Sequence, residues 1–221
     1  MYIDVNGVTL YYEQTGSGSP IILLHGNGED HSIFDVLVQE LSKRFLVYAV
    51  DSRGHGGSTK TQTLDYKVMA NDIAELIIKL NIAKPVILGF SDGGILGLML
   101  ASGYPNLLSK LIVCGANAHP SGIRTPYLLI MKLSYKLTKN EKLKLMVTQP
   151  DISDSELMRI SVPTLVLAGI RDLIKKSHTE HIASLISCAR MCILRGEGHS
   201  SYVVHSPRLY TVIRPFLDET V

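Results

Sequence analysis

The sequence predicts an α/β protein: a mostly parallel, eight-stranded sheet with an N-terminal antiparallel hairpin and helices on both faces. Two observations predict it. Short runs that are apolar throughout, such as Pro20 to Leu24 and Leu111 to Cys114, alternate with segments whose apolar residues recur at helical spacing. A strand that is apolar on both faces is buried on both faces, which is the condition of a parallel sheet, and the intervening helices supply the cover. A third observation is a break in the alternation. The stretch between the strands Leu111–Cys114 and Thr164–Ala168 is far longer than a loop and helix require, so residues 119–160 read as an inserted helical lid on a core formed by 1–118 and 161–221.

The elements follow in order. Tyr2 to Asp4 and Val8 to Glu13 flank Asn6-Gly7, a pair that tolerates positive φ and so predicts a hairpin turn. Pro20 to Leu24 is the next strand. Ile33, Phe34, Leu37, Val38 and Leu41 then share one helical face, with Asp30 as the cap. Phe45 to Val50 is a strand. Val68, Ile73, Leu76, Ile77 and Leu80 mark a helix before the strand Pro85 to Leu88, and Ile95 to Ala101 continues as a helix. Within the lid, helices are expected around 127–137 and 141–147, punctuated by Pro120, Pro126 and Pro150. Met191 to Leu194 is the last strand, and Ser206-Pro207 opens a closing helix that Pro215 is expected to kink or end.

The net charge of +2 is too small to imply a nucleic-acid or membrane partner. No stretch reaches the roughly 20 apolar residues of a membrane span, and Tyr2-Ile3-Asp4-Val5 lacks the pattern of a signal peptide. Cys114, Cys188 and Cys192 are odd in number and lack zinc-like spacing, so reduced thiols in a cytoplasmic protein are expected. His178 and His181 lie one helical turn apart, but with no carboxylate or cysteine to complete a set they read as solvent-facing, and no metal is expected.

The most informative segment is Gly89-Phe90-Ser91-Asp92-Gly93-Gly94, between an apolar strand and a helix. A serine forced through so sharp a turn takes an unfavourable backbone geometry, at a cost of roughly 1–3 kcal/mol, and the flanking glycines allow strand and helix to approach. Its hydroxyl stands at the sheet edge beside the positive end of the next helix. Ser91 is therefore read as a nucleophile, which needs a base and a group to orient that base. His199, in Gly196-Glu197-Gly198-His199-Ser200, follows the last strand, and Asp172 follows the strand 164–168. Duller readings stand beside these: Ser91 as a turn residue, Asp172 as a helix cap, His199 as a loop histidine. Glu197 is the second choice for the acid.

With these motifs in hand, the chain resembles the α/β-hydrolase superfamily over essentially its whole length. Four motifs carry the resemblance: His25-Gly26-Asn27-Gly28 after the third strand, Asp51 to Ser58 after the fourth, the serine turn, and the Asp172 and His199 loops in that order. The resemblance implies an oxyanion hole made by the backbone N–H groups of Asn27 and Asp92, each such donor being worth about 2.7–4 kcal/mol in the transition state. His25 and the 51–58 turn are assigned supporting roles. Asp92, where the family more often has an uncharged residue, is expected to face away from the oxyanion and stabilise the helix start.

The expected function is a cytoplasmic serine hydrolase acting on a small carboxylic ester, thioester or related carbonyl compound, with Ser91, His199 and Asp172 as triad and no cofactor. A serine at position 91 argues against the aspartate-based dehalogenases and epoxide hydrolases of the same superfamily. Carbon–carbon bond hydrolysis, perhydrolysis and a non-catalytic ligand-binding module remain open alternatives, as does the oligomeric state. Tyr127, Leu129, Met131 and Tyr135 are candidates to wall the pocket. Between Arg124 and Lys144 the lid carries six basic residues against the single acidic Glu141. That excess reads either as steering of anionic substrates or as the solvated face of an amphipathic helix.

Overall fold

A computed structural model of the chain, described here over residues 1–219, forms an eight-stranded sheet in the order β1-β2-β4-β3-β5-β6-β7-β8. The hairpin β1 (Tyr2–Val5) and β2 (Val8–Gly16) turns at Asn6 and Gly7, both at positive φ. β2 then pairs antiparallel with β4 (Phe45–Val50). From there the ladder is parallel through β3 (Ser19–Leu24), β5 (Val86–Phe90), β6 (Lys110–Cys114), β7 (Thr164–Gly169) and β8 (Ala189–Leu194). All eight expected strands are present, with ends shifted by at most three residues, the largest shift being the extension of β2 from Glu13 to Gly16.

The apolar residues divide between the two faces of this sheet. On one side pack α2 (Tyr66–Lys79), α3 (Asp92–Gly103) and α7 (Lys176–Leu185), contributing Met69, Ile73, Leu96, Leu100 and Ile182 to a shared core. On the other lie α1 (Asp35–Leu41) and α8 (Arg208–Asp218), with Leu37, Leu41, Leu209, Ile213 and Phe216. Each fully buried leucine or isoleucine here contributes roughly 1.5–3 kcal/mol relative to exposure. The Asp30 side chain accepts the N–H of Ser32, but the turn it caps, His31–Phe34, is a 3₁₀ helix that precedes α1. α8 runs through Pro215 to Asp218 rather than stopping there, because burial of Ile213 and Phe216 on either side of the proline outweighs the lost backbone hydrogen bond.

The segment between β6 and β7 carries α4 (Thr125–Thr138), α5 (Glu141–Thr148) and a third helix, α6 (Asp154–Met158). The sequence pattern does not predict α6, since five residues hold too little periodicity. A capping box of Ser153 and Glu156 starts it and buried Leu157 anchors it. Among the described residues no helix is long and apolar enough to cross a membrane.

Candidate active site

Strand β5 delivers Ser91 at φ 51° and ψ −114°, a left-handed conformation that only surrounding structure can enforce. Enforcement comes from three sides. The Ser91 N–H donates to the Cys114 carbonyl (2.8 Å), the Gly93 N–H to the His25 carbonyl (3.0 Å) and the Ile95 N–H to the Ser91 carbonyl (3.1 Å). The glycines are steric necessities: a Cβ on Gly89 would lie 2.1 Å from the Gly93 carbonyl oxygen, and one on Gly93 2.0 Å from that of Leu24.

Loops after β7 and β8 bring the other two groups to the same rim. His199 Nε2 lies 3.1 Å from Ser91 Oγ, and His199 Nδ1 lies 2.7 Å from Asp172 Oδ1. The Asp172 carboxylate is buried and also accepts the N–H groups of Ile174 (2.9 Å) and Gly169 (3.3 Å). These bonds fix its orientation without relying on the histidine. The His199 ring rests on Phe90, with centroids 4.9 Å apart. Glu197, the second candidate acid, accepts from the Ser201 hydroxyl (2.6 Å) and lies 3.8 Å from Arg208.

One residue of this cluster escapes sequence reasoning. Gly115, at φ +61° just after β6, sits beneath the imidazole: an added Cβ would lie 2.9 Å from both Cε1 and Nδ1 of His199 and 3.2 Å from Asp172 Oδ2. A glycine after a strand is the only signal the sequence offers. Gly115→Ala is expected to displace the ring and lower kcat/KM on nitrophenyl acetate by about 10²-fold, with the protein still folded by circular dichroism. Unchanged kinetics would show that the ring does not need this space.

Gly26, Asn27, Glu29, Phe90, Ser91, Met146, Leu173, His199 and Ser200 line an open cleft of about 230 Å³. A second, narrow crevice reaches from Ser91 past Asp92, Tyr66, Ile123 and Ile174. A larger cleft of about 320 Å³ between α2, α3 and α6 is lined by Lys67, Tyr104 and Arg159, away from the serine. Of the four residues expected to wall the pocket, none lines either space beside Ser91; Tyr127 and Leu129 are exposed, and Met131 and Tyr135 are half-buried. Met146 of α5 and Leu173 do so instead, because α5 rather than α4 lies over the serine.

Asn27 lines the open cleft and Asp92 the narrow crevice beside Ser91, and neither backbone N–H donates a hydrogen bond among the described residues. The Asp92 side chain does not reach solvent. Its carboxyl is buried, accepts from Asn27 Nδ2 (2.9 Å) and sits beside the Tyr66 hydroxyl. The cause is α3 itself, which is buried on nearly every face, so its first residue has no solvent side to turn to.

Burial raises the Asp92 carboxyl from 3.8 to about 6, against the pull of Tyr66 and Asn27. A carboxyl whose folded pKa is raised stabilises the fold fully below its unfolded value, and that contribution is lost as pH rises through the folded value. Asp92→Asn, which keeps the neutral form, is therefore expected to gain about 1–3 kcal/mol in urea denaturation near pH 8 and to converge on the wild type near pH 4. A gain independent of pH would refute the assignment.

The remaining candidates are structural. His25 Nδ1 lies 2.7 Å from the Gly26 carbonyl, its Nε2 accepts the Ser52 N–H (3.0 Å), and burial lowers its pKa, so the ring ties the Asn27 loop to the 51–58 turn. Asp30, His31 and Asp51 bring possible ligand atoms within 4.8 Å of one another. Asp51 is already committed, however, to the N–H groups of His31 (2.7 Å) and Gly57 (2.8 Å) and to the His31 ring (2.8 Å). His181 is exposed beside Asp154 (2.9 Å), as expected of a surface histidine. His178 is not: it turns inward to accept the Ala118 N–H (3.0 Å), and burial lowers it to about 4.

Comparison with known proteins agrees with this architecture. The alpha/beta hydrolase fold family matches residues 19–140. The human serine hydrolase BPHL is 29% identical, over 97% of this chain and 85% of the relative. Among solved structures, the enol-lactonase from Burkholderia xenovorans LB400 superposes with a TM-score of 0.83 at 23% identity, covering 99% of this chain and 100% of the other. A thermophilic esterase from Thermogutta terrifontis does so at 0.79 and 24% identity, covering 98% and 96%.

Proposed function

The chain belongs to the alpha/beta hydrolase fold family, and we propose that it cleaves a small carboxylic ester, thioester or related carbonyl compound through an acyl-enzyme. The observation that carries this reading is the continuous relay from Asp172 Oδ1 through both nitrogens of His199 to Ser91 Oγ, at 2.7 and 3.1 Å. Ser91 Oγ attacks the carbonyl carbon while His199 Nε2 takes its proton. Asp172 holds the imidazole with its proton on Nδ1 and stabilises the imidazolium that forms. The N–H groups of Asn27 and Asp92 hold the oxyanion. Collapse of the tetrahedral adduct expels an alcohol or thiol protonated by His199. Water, deprotonated by the same imidazole, then releases the acid and restores the serine.

A cleft of about 230 Å³ favours a small substrate, since pockets for drug-sized ligands begin near about 300 Å³. Residues 119–160 act as the lid in this reading, with Met146 closing over the serine. A fluorophosphonate tests it directly. Intact-mass analysis is expected to show one adduct that Ser91→Ala abolishes. No adduct on folded wild-type protein would favour a ligand-binding module on the same fold.

A further inference from the structure

Helix α4 turns an apolar stripe away from the protein. Leu128, Met131, Ser134 and Tyr135 are half-buried and form its inward face, and no residue of the helix is fully buried. On the opposite side Leu129, Ile130, Leu133 and Leu137 are 60%, 62%, 59% and 76% exposed. Their spacing, 129/133/137 and 130/133/137, places them in one continuous strip along the helix. Lys132 and Lys136 line one edge of the strip, and Lys139 follows at its end. Among the described residues none of the three has an ion-pair partner, whereas Lys144 spends itself on Glu141 (3.2 Å).

We propose that this face docks on an anionic lipid surface, with α4 lying in the plane of the interface. The charge distribution selects that occupant. The chain's net charge of +2 conceals a strongly basic stretch from 124 to 144, outside which acidic side chains outnumber basic ones. An anionic surface attracts this one face and repels the rest, which orients the protein as well as binding it. A second copy packed antiparallel on this face by a two-fold axis would set the lysine-bearing edges against one another. In a headgroup layer the leucines reach the acyl boundary while the lysine stems extend to the phosphates.

The geometry gives the docking a purpose. α5 packs beside α4, and its Met146 lines the cleft at Ser91; Asn27 Nδ2 donates to the Lys142 carbonyl of the same helix (3.3 Å). A lid seated on a bilayer therefore holds the mouth of the cleft next to molecules dissolved in it. The docking does not depend on the catalytic reading, and inactive protein shows it equally.

The test is vesicle flotation of the full chain carrying Ser91→Ala, which leaves the lipid intact. Vesicles of equal parts phosphatidylglycerol and phosphatidylcholine are expected to carry the protein at least about tenfold better than phosphatidylcholine alone. The pair Leu133→Ser with Leu137→Ser, and separately Lys132→Glu with Lys136→Glu, are each expected to lower that partition about tenfold or more. Either pair placed in the active protein leaves hydrolysis of soluble nitrophenyl acetate unchanged, which shows the fold is intact. Equal flotation of parent and both pairs overturns the proposal. So does a dimer in sedimentation that the leucine pair dissociates while no vesicle binding is seen, which would assign the strip to a second copy.

Discussion

Ser91→Ala is expected to lower kcat/KM on nitrophenyl acetate by roughly 10⁴–10⁶-fold with little change in stability. Alanine and serine carry the same strain at φ 51°, and the exchange removes one hydroxyl whose recorded partner is His199 Nε2. The three hydrogen bonds that hold the turn are all from backbone to backbone and survive. In the proposed mechanism the oxyanion donors remain with nothing to attack the carbonyl, so residual turnover reflects water alone. Urea denaturation within about 1 kcal/mol of wild type separates lost chemistry from lost folding. Activity close to wild type would place the nucleophile elsewhere.

Asp172→Asn is expected to cost about 10⁴-fold in kcat with a much smaller change in KM. The buried carboxylate accepts from the His199 ring and from the N–H groups of Ile174 and Gly169. An amide has one acceptor oxygen, so it either turns its NH₂ toward a backbone donor or presents it to the imidazole. In the second case Nδ1 becomes the acceptor and Nε2 carries the proton, the reverse of what proton abstraction from Ser91 requires. The negative charge that stabilises the imidazolium is also gone. Glu197→Gln is the control: its carboxylate serves Ser201 and Arg208, and its loss leaves turnover unchanged. If Glu197→Gln were the crippling change, the acid would have been misassigned.

Much of the fold is legible in the sequence because its signals are local. Asn6-Gly7 specifies a turn through its own φ preference, and Phe45–Val50 specifies a doubly buried strand through its own composition. The serine turn is legible for the same reason, since the strand, three glycines and the helix are contiguous. Where the sequence reading departs from the structure, the deciding atoms come from elsewhere in the chain. Pro215 is a helix breaker in isolation, yet the packing of Phe216 against the sheet carries α8 through it. His178 looks like a surface histidine until the Ala118 N–H arrives from the loop after β6.

From the sequence alone come the parallel sheet, the order of its strands along the chain, and the places of Ser91, Asp172 and His199 after β5, β7 and β8. Periodicity and turn chemistry are properties of neighbours, and each element carries them in its own residues. Only the tertiary structure decides that side chains 108 positions apart stand 3.1 Å apart, that Gly115 leaves room for the imidazole, that Asp92 is buried, and that α4 turns its leucines outward. Those outcomes depend on sheet register and on which helix covers which, so they follow from packing among distant segments rather than from any one stretch of chain.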